Sequence, residues 1–296
     1  MEDVIVTHGD MDGVISAALL VKALRISPRI VFTQPHQLDQ VKLDPASFKE
    51  IYVTDIAVNN RDIEMTKSFI ETYRKSIKVW VDHHKGWSAL KHVIDSRRFI
   101  IDESAPSACR VVLNAFPWLK NDPEAVQLEK DGTASDTGRL EQLSPQGWLL
   151  YKALKADIQD VKIKQIAVRW LIEKNPEDEK FLREKAEEYD RGPGRIGPYL
   201  EKVKLVNDIA VLCEELPKNI DRLALFIKME EMSPLKVGVM QGTTEYGPVI
   251  TIGTCRDDLD LVQVFQLPSG NPRNVILSRD AGWTLEKVLE ILKKLK

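Results

Sequence analysis

Four short stretches of the 296-residue chain concentrate side chains that bind cations. His8, Asp10 and Asp12 stand in HGDMDG, Asp55 in VTDIA, Asp82, His83 and His84 in VDHHKG, and Asp136 in DGTASDTGRL. Of the five histidines, only His36 and His92 lie outside these stretches. A single Asp of this kind would read as a helix cap. Four such sites in one domain read differently. Asp10, Asp12, Asp55 and Asp136 would repel one another and shift each other's titration unless cations sat among them. Two divalent cations would balance those four carboxylates. The donors mix carboxylate with imidazole and include no thiolate. That set suits Mn²⁺, with Mg²⁺ or Co²⁺ as substitutes, better than a structural zinc. Two ions about 3.5–4 Å apart clamp a bridging water and the phosphoryl oxygens of a substrate, so the chemistry is in-line hydrolysis of a phosphate ester.

Each cluster needs an element to deliver it. Val4–Val6, Arg29–Phe32, Ile51–Val53 and Val79–Val81 are continuously apolar, as strands covered on both faces are. Helical patterns over Val14–Leu24 and Arg61–Arg74 alternate with them. The expected fold is therefore α/β with a doubly wound, mostly parallel sheet. A further strand, Arg98–Ile101, precedes a helix that Pro106 and Ser107 would start. Three strands run into His8, Asp55 and Asp82. Ligands in open parallel sheets lie beyond the carboxyl ends of strands, so these clusters would converge.

Three helical patterns fill the stretch from about Ser144 to Asp190. RGPGRIGPY, Arg191–Tyr199, reads as a linker and a hinge. Beyond it, helices are expected over Leu200–Leu216 and Ile220–Met229. Strands are expected over Lys236–Gln241, Val249–Gly253, Leu261–Leu267 and Asn274–Ser278, and a last helix from near Thr284. This gives a catalytic domain over 1–190, a linker over 191–199 and a smaller α+β domain over 200–296.

Composition narrows the class. Lys and Arg number 42 against 45 Asp and Glu, a net charge of −3, so no global positive field draws the chain onto long nucleic acid. The 43% hydrophobic and 29% charged residues exclude disordered, collagen-like and coiled-coil chains. Cys109, Cys213 and Cys255 are far apart and odd in number, which argues for small buried apolar residues rather than disulfides or a zinc site. The acidic N-terminus is no signal peptide, and no apolar run approaches the ~18 residues of a membrane span. A cytoplasmic protein with no membrane partner is expected.

HGDMDG, VTDIA, VDHHKG and GTASD, in this order, resemble the four motifs of the DHH phosphoesterase superfamily over about the first 190 residues. The resemblance implies two domains with an active-site cleft between them and two Mn²⁺ ions. His8, Asp10 and Asp55 would hold the first ion. Asp12, Asp55, His83 and Asp136 would hold the second, with Asp55 bridging and a bridging hydroxide as nucleophile. His84 would face the scissile phosphate or protonate the leaving oxygen, and Asp82 would fix an imidazole tautomer. The HxDxDG spacing is similar to that of RecJ and nanoRNase members.

The second domain departs from that pattern. It carries no GGGH loop and no histidine. The nearest counterpart, Ser269–Gly282, offers Arg273 and Arg279 as phosphate donors, with Gly270, Asn271 and Asn274 beside them. Arg139 could also reach a phosphate, or form a surface ion pair instead. Trp87 could stack on a base or pack internally. The leading expectation is a Mn²⁺-dependent phosphoesterase of short single-stranded oligonucleotides or phosphorylated nucleotides. The length leaves no room for an added oligonucleotide-binding domain, and the weak net charge favours small substrates. A processive single-strand exonuclease, a small-molecule phosphatase or pyrophosphatase, and an inactive scaffold remain open. So does the oligomeric state, a homodimer being one form.

Overall fold

Two sheets organise the computed structural model, which describes residues 1–44, 46–59, 61–214, 216–217, 220–244, 247–256, 258–267 and 273–295. The chain divides into two compact units, Met1–Glu188 and Tyr189–Lys296.

The first unit opens with β1 (Glu2–His8), α1 (Met11–Leu24), β2 (Arg29–Thr33), β3 (Phe48–Thr54), α2 (Ile63–Tyr73), β4 (Ile77–Asp82) and β5 (Phe99–Ile101). Among the described residues its sheet has five parallel strands in the order β2-β1-β3-β4-β5. That order reverses direction between β1 and β3. Such a switch point leaves a crevice at the carboxyl ends, where His8 ends β1 and Asp55 follows β3. Val4 and Val6 enter the core with Phe69, Ile70 and Tyr73 of α2. Ile5, between them, faces the opposite side of the pleat. Trp80 is fully buried between Trp87 and Phe99, with ring centroids at 5.2 and 5.6 Å, and its indole N–H donates to Ile56 O. Truncating it to Ala would cost about 3–5 kcal/mol.

Five further helices follow: α3 (Ala108–Ala115), α4 (Pro123–Asp136), α5 (Pro145–Ala156), α6 (Val161–Glu173) and α7 (Pro176–Arg191). Side chains of Ser107, Asp122, Ser144 and Asp160 accept first-turn amides of α3 to α6, and Pro opens both α4 and α5. Helix α1 packs on α3, α4 and α6. The polar stretch around Asp136 therefore belongs to a helix, and Asp136 is the last residue of α4. The expected linker begins inside α7, which continues to Arg191. Gly192 and Gly194 then donate back to Tyr189 O, while Tyr189 Oη donates to Asp221.

The second unit holds α8 (Gly197–Leu200), β6 (Lys204–Val206), β7 (Ile209–Cys213), α9 (Arg222–Met232), β8 (Val237–Thr244), β9 (Gly247–Thr254), α10 (Leu261–Val264), β10 (Asn274–Ser278) and α11 (Leu285–Leu292). Its described strands form a sheet ordered β10-β9-β8-β7-β6, in which only β7 and β8 pair in parallel. The chain is thus α/β with a smaller second sheet unit. Two expectations fail here. The helix expected over Leu200–Leu216 is a hairpin, turned at Asn207 and Asp208, which are both left-handed. The strand expected over Leu261–Leu267 is one helical turn, because Asp260 caps it through the amides of Val262 and Gln263 and left-handed Gln266 ends it. Thr284 caps α11 as expected. Cys109 is buried, but Cys213 and Cys255 are exposed rather than buried. Among the described residues no helix is long and apolar enough to cross a membrane.

Candidate metal centre

The carboxyl ends of β1, β3 and β4 and the C-terminus of α4 bring together His8, Asp10, Asp12, Asp55, His83, His84 and Asp136. Asp10 has two tasks. Its Oδ1 caps α1 by accepting from Gly13 N at 2.9 Å, and its Oδ2 lies 2.8 Å from His8 Nδ1. His8 donates from Nε2 to Gln34 Oε1 at 2.7 Å, which directs Nδ1 toward Asp10 and, at 3.9 Å, Asp55 Oδ2. Asp12 is almost fully buried. Its oxygens accept from Ala108 N at 2.7 Å and Cys109 N at 3.0 Å, the first amides of α3, so the helix dipole supports its charge.

Asp55 sits in the left-handed region at φ 55°, which Asp tolerates better than most residues, and it is 3% exposed. Its two oxygens face different partners. Oδ2 points toward His8, while Oδ1 lies 3.7 Å from His83 Nε2 and 3.9 Å from His84 Nδ1. Asp12 Oδ2 and Asp136 Oδ2 each lie 3.8 Å from the same His83 Nε2. These separations exceed a hydrogen bond.

Asp82 is fully buried and anchored. Its Oδ1 accepts from His84 Nδ1 at 2.8 Å and its Oδ2 from Trp87 Nε1 at 2.7 Å. Trp87 is thus a packed tryptophan, 3% exposed.

Electrostatics separates these groups. Burial, then the Asp12, Asp10, Asp136 and Asp82 charges, pushes the Asp55 carboxyl well above its usual range. Burial and neighbouring carboxylates do the same to Asp136. Burial also raises Asp12, against His83. Burial opposes the charge of Asp10 and Asp82 too, but the imidazoles of His8 and His84 outweigh it and hold both carboxyls low. Burial opposes the His84 charge, yet Asp82 outweighs it and raises His84 to about 9.

The residues fit divalent cations. Asp55 Oδ2 and His83 Nε2 are sealed from solvent and have no hydrogen-bond partner. Unpaired buried polar atoms of this kind cost about 1–3 kcal/mol each unless something else engages them. Three groups, His8–Asp10–Asp55, Asp12–His83–Asp136 and Asp55–His83–His84, each present ligand atoms within 4.8 Å of one another. A cation with bonds of about 2.1 Å sets neighbouring ligands about 3 Å apart, so the spacings around His83 need only small closure.

Two residues that sequence reasoning missed join the site. Gln34 follows β2 and orients His8. Lys164 of α6 lies over Gly9, where a Cβ would fall 2.5 Å from its Nζ. Neither carried a signal beyond its own type, since only the packing of distant elements brings them here.

The expected substrate residues do not converge. Arg273 and Asn274 stand at the start of β10 and Arg279 just beyond its end, about 20 Å apart along an extended strand. Arg273 and Arg279 therefore cannot grip one phosphate together. Arg273 also acts on buried Glu230, which burial raises to about 7 against the Cys255 thiol and the Arg273 charge. Arg279 and Asn274 are exposed. Gly270 and Asn271 lie outside the described residues. Arg139 is half-buried, three residues beyond Asp136.

Residues 3–134 match the DHH family, N-terminal domain. No curated protein matches the chain in sequence. Solved structures share its fold at low identity. The pGpG-specific phosphodiesterase PggH from Vibrio cholerae matches with a TM-score of 0.64 at 13% identity, over 100% of this chain and 98% of that one. RecJ from Thermus thermophilus in complex with Mn²⁺ matches at 0.59 and 12% identity, over 99% of this chain but only 52% of RecJ. An exopolyphosphatase-related protein from Bacteroides fragilis matches at 0.56 and 12% identity, over 99% and 91% of the two chains. Residues 3–134 thus carry a DHH family N-terminal domain, built on the five-stranded sheet whose strand ends hold the clusters.

Proposed function

We propose that the chain is a Mn²⁺-dependent phosphoesterase that hydrolyses short single-stranded oligonucleotides or phosphorylated nucleotides. The observation that carries this reading is Asp55, which turns one oxygen toward His8 and the other toward His83 and so joins two ligand groups. His8, Asp10 and Asp55 would hold one ion, and Asp12, Asp55, His83 and Asp136 the other, with Mg²⁺ or Co²⁺ as substitutes. Bound cations supply Lewis-acid stabilisation of the charge that builds on the phosphoryl oxygens.

The protein's own groups do the rest. The α3 amides hold Asp12 in place, and Gln34 fixes the His8 ring. Asp82, itself held by Trp87, orients His84 through Nδ1 and favours its protonated form. His84, with 40% of its side chain exposed, then presents Nε2–H to the substrate as a donor to a phosphoryl or leaving oxygen. Two facts support a short substrate. The net charge of −3 provides little for long nucleic acid, and the chain spans 98% of a neighbour described as specific for a dinucleotide.

The test strips the protein with chelator, restores Mn²⁺ and follows hydrolysis of a 5′-labelled dinucleotide beside a 24-mer. Preference for the dinucleotide supports the proposal. Preference for the 24-mer would favour a processive exonuclease, and cleavage of neither despite bound metal would overturn the nucleotide reading.

A further inference from the structure

Lys164 is 7% exposed, and its stem lies across Gly9, the residue between His8 and Asp10. A Cβ on Gly9 would meet Lys164 Nζ at 2.5 Å, Cε at 3.0 Å and Cδ at 3.2 Å. The loop that carries two of the proposed ligands is therefore shaped to admit this side chain. Among the described residues its ammonium makes no hydrogen bond or ion pair, although Asp10, Asp157 and Asp160 act on it electrostatically. Asp10 is already engaged, with Oδ1 on Gly13 N and Oδ2 on His8. The Lys164 Nζ is not among the unpartnered side-chain atoms that are sealed from solvent, so its three donors stay open to a ligand. A ligand that brings anionic oxygens to this side of the loop would meet those donors, and a lysine binds phosphate as a point charge.

We propose that Lys164 is a substrate contact, whose ammonium takes a phosphate oxygen on the Gly9 side of the centre. The assignment rests on the phosphoesterase reading above and adds a cation supplied by α6, outside the four motifs.

The test compares wild type with Lys164→Met, both loaded with Mn²⁺, and titrates each with adenosine 5′-monophosphate and with adenosine. Wild type should bind the monophosphate more tightly than the nucleoside. In the variant, monophosphate affinity should fall at least tenfold with adenosine binding unchanged. KM should rise with kcat within a few-fold, and the number of bound Mn²⁺ should stay the same. Gly9→Ala, which leaves Lys164 in the chain but displaces its ammonium, should weaken monophosphate binding in the same direction. Unchanged monophosphate binding in Lys164→Met would overturn the assignment. Loss of Mn²⁺ from the variant would also overturn it, placing Lys164 among the supports of the carboxylates. A wild type that does not distinguish monophosphate from nucleoside would instead sink the phosphoesterase reading itself.

Discussion

Asp55 Oδ1 and His83 Nε2 face each other at 3.7 Å with no hydrogen bond between them. One residue comes from the end of β3 and the other from the end of β4, so the parallel sheet sets their separation. In the metal-free protein this is an unfavourable arrangement. Asp55 is buried among Asp10, Asp12, Asp82 and Asp136, all of which oppose its charge.

Removing that charge should stabilise the metal-free fold. Asn has nearly the shape of Asp and also tolerates the left-handed backbone found at φ 55°. Asp55→Asn should therefore raise the melting temperature of chelator-treated protein by a few degrees, since about 1 kcal/mol moves Tm roughly 2–4 °C at this size. The same variant should lose most of the thermal shift that Mn²⁺ gives wild type, and at least 10²-fold in turnover. Scanning calorimetry with and without Mn²⁺ checks this. An apo form less stable than wild type would contradict it.

The gain from Asp55→Asn should also depend on pH. Asp55 has a higher pKa folded than unfolded, so the folded state binds more protons and its stability falls as pH rises from the ordinary carboxyl range near 3.9 through the raised value. The difference in Tm between variant and wild type, both chelated, should be smallest near pH 4 and should widen as pH rises from there. A constant difference across that range would contradict the assignment of the charge to Asp55.

The Asp82–His84 pair also loses stability as pH rises, but over a higher range. Its His84 contribution is fully present below about 6.5, the ordinary histidine value, and is lost as pH rises through about 9. In Asp82→Asn the His84 ring should titrate near or below the ordinary value, because its charge partner is gone while its burial remains. Imidazole proton shifts in the metal-free protein report this directly. Turnover should fall at least tenfold with metal binding retained. A His84 ring that still titrates near 9 would show that another group holds its proton.

Gly13 should tolerate no side chain. A Cβ there would fall on the His8 carbonyl oxygen, and backbone cannot move aside as a flexible side chain can. Gly13→Ala should therefore displace the His8–Asp10 loop and weaken Mn²⁺ binding at least tenfold, as measured by titration. Wild-type affinity in that variant would mean the loop relaxes freely.

Much of the site was legible because strand ends carry it. His8, Asp55 and Asp82 each close or follow a continuously apolar run, and parallel topology alone places such ends side by side. The helix under Asp136 was hidden, since α4 reads PEAVQLEKDGTASD and gains its place by packing on α1 and α3 rather than by a strong apolar stripe. Gln34 and Lys164 were hidden for the same reason. The hairpin at Asn207–Asp208 was in principle readable, because two adjacent residues that tolerate left-handed backbone mark a two-residue turn. The apolar residues on either side of it, Val203 to Val206 and Ile209 to Leu212, fit a helical period equally well over so short a span.

The central claim is a two-cation centre joined by Asp55, and counting ions tests it most directly. Chelator-stripped protein titrated calorimetrically with Mn²⁺ should bind two ions per chain, and Asp55→Asn should bind fewer with weakened affinity. A wild type that binds one ion or none, or an Asp55→Asn variant that still binds two with unchanged affinity, would contradict the account.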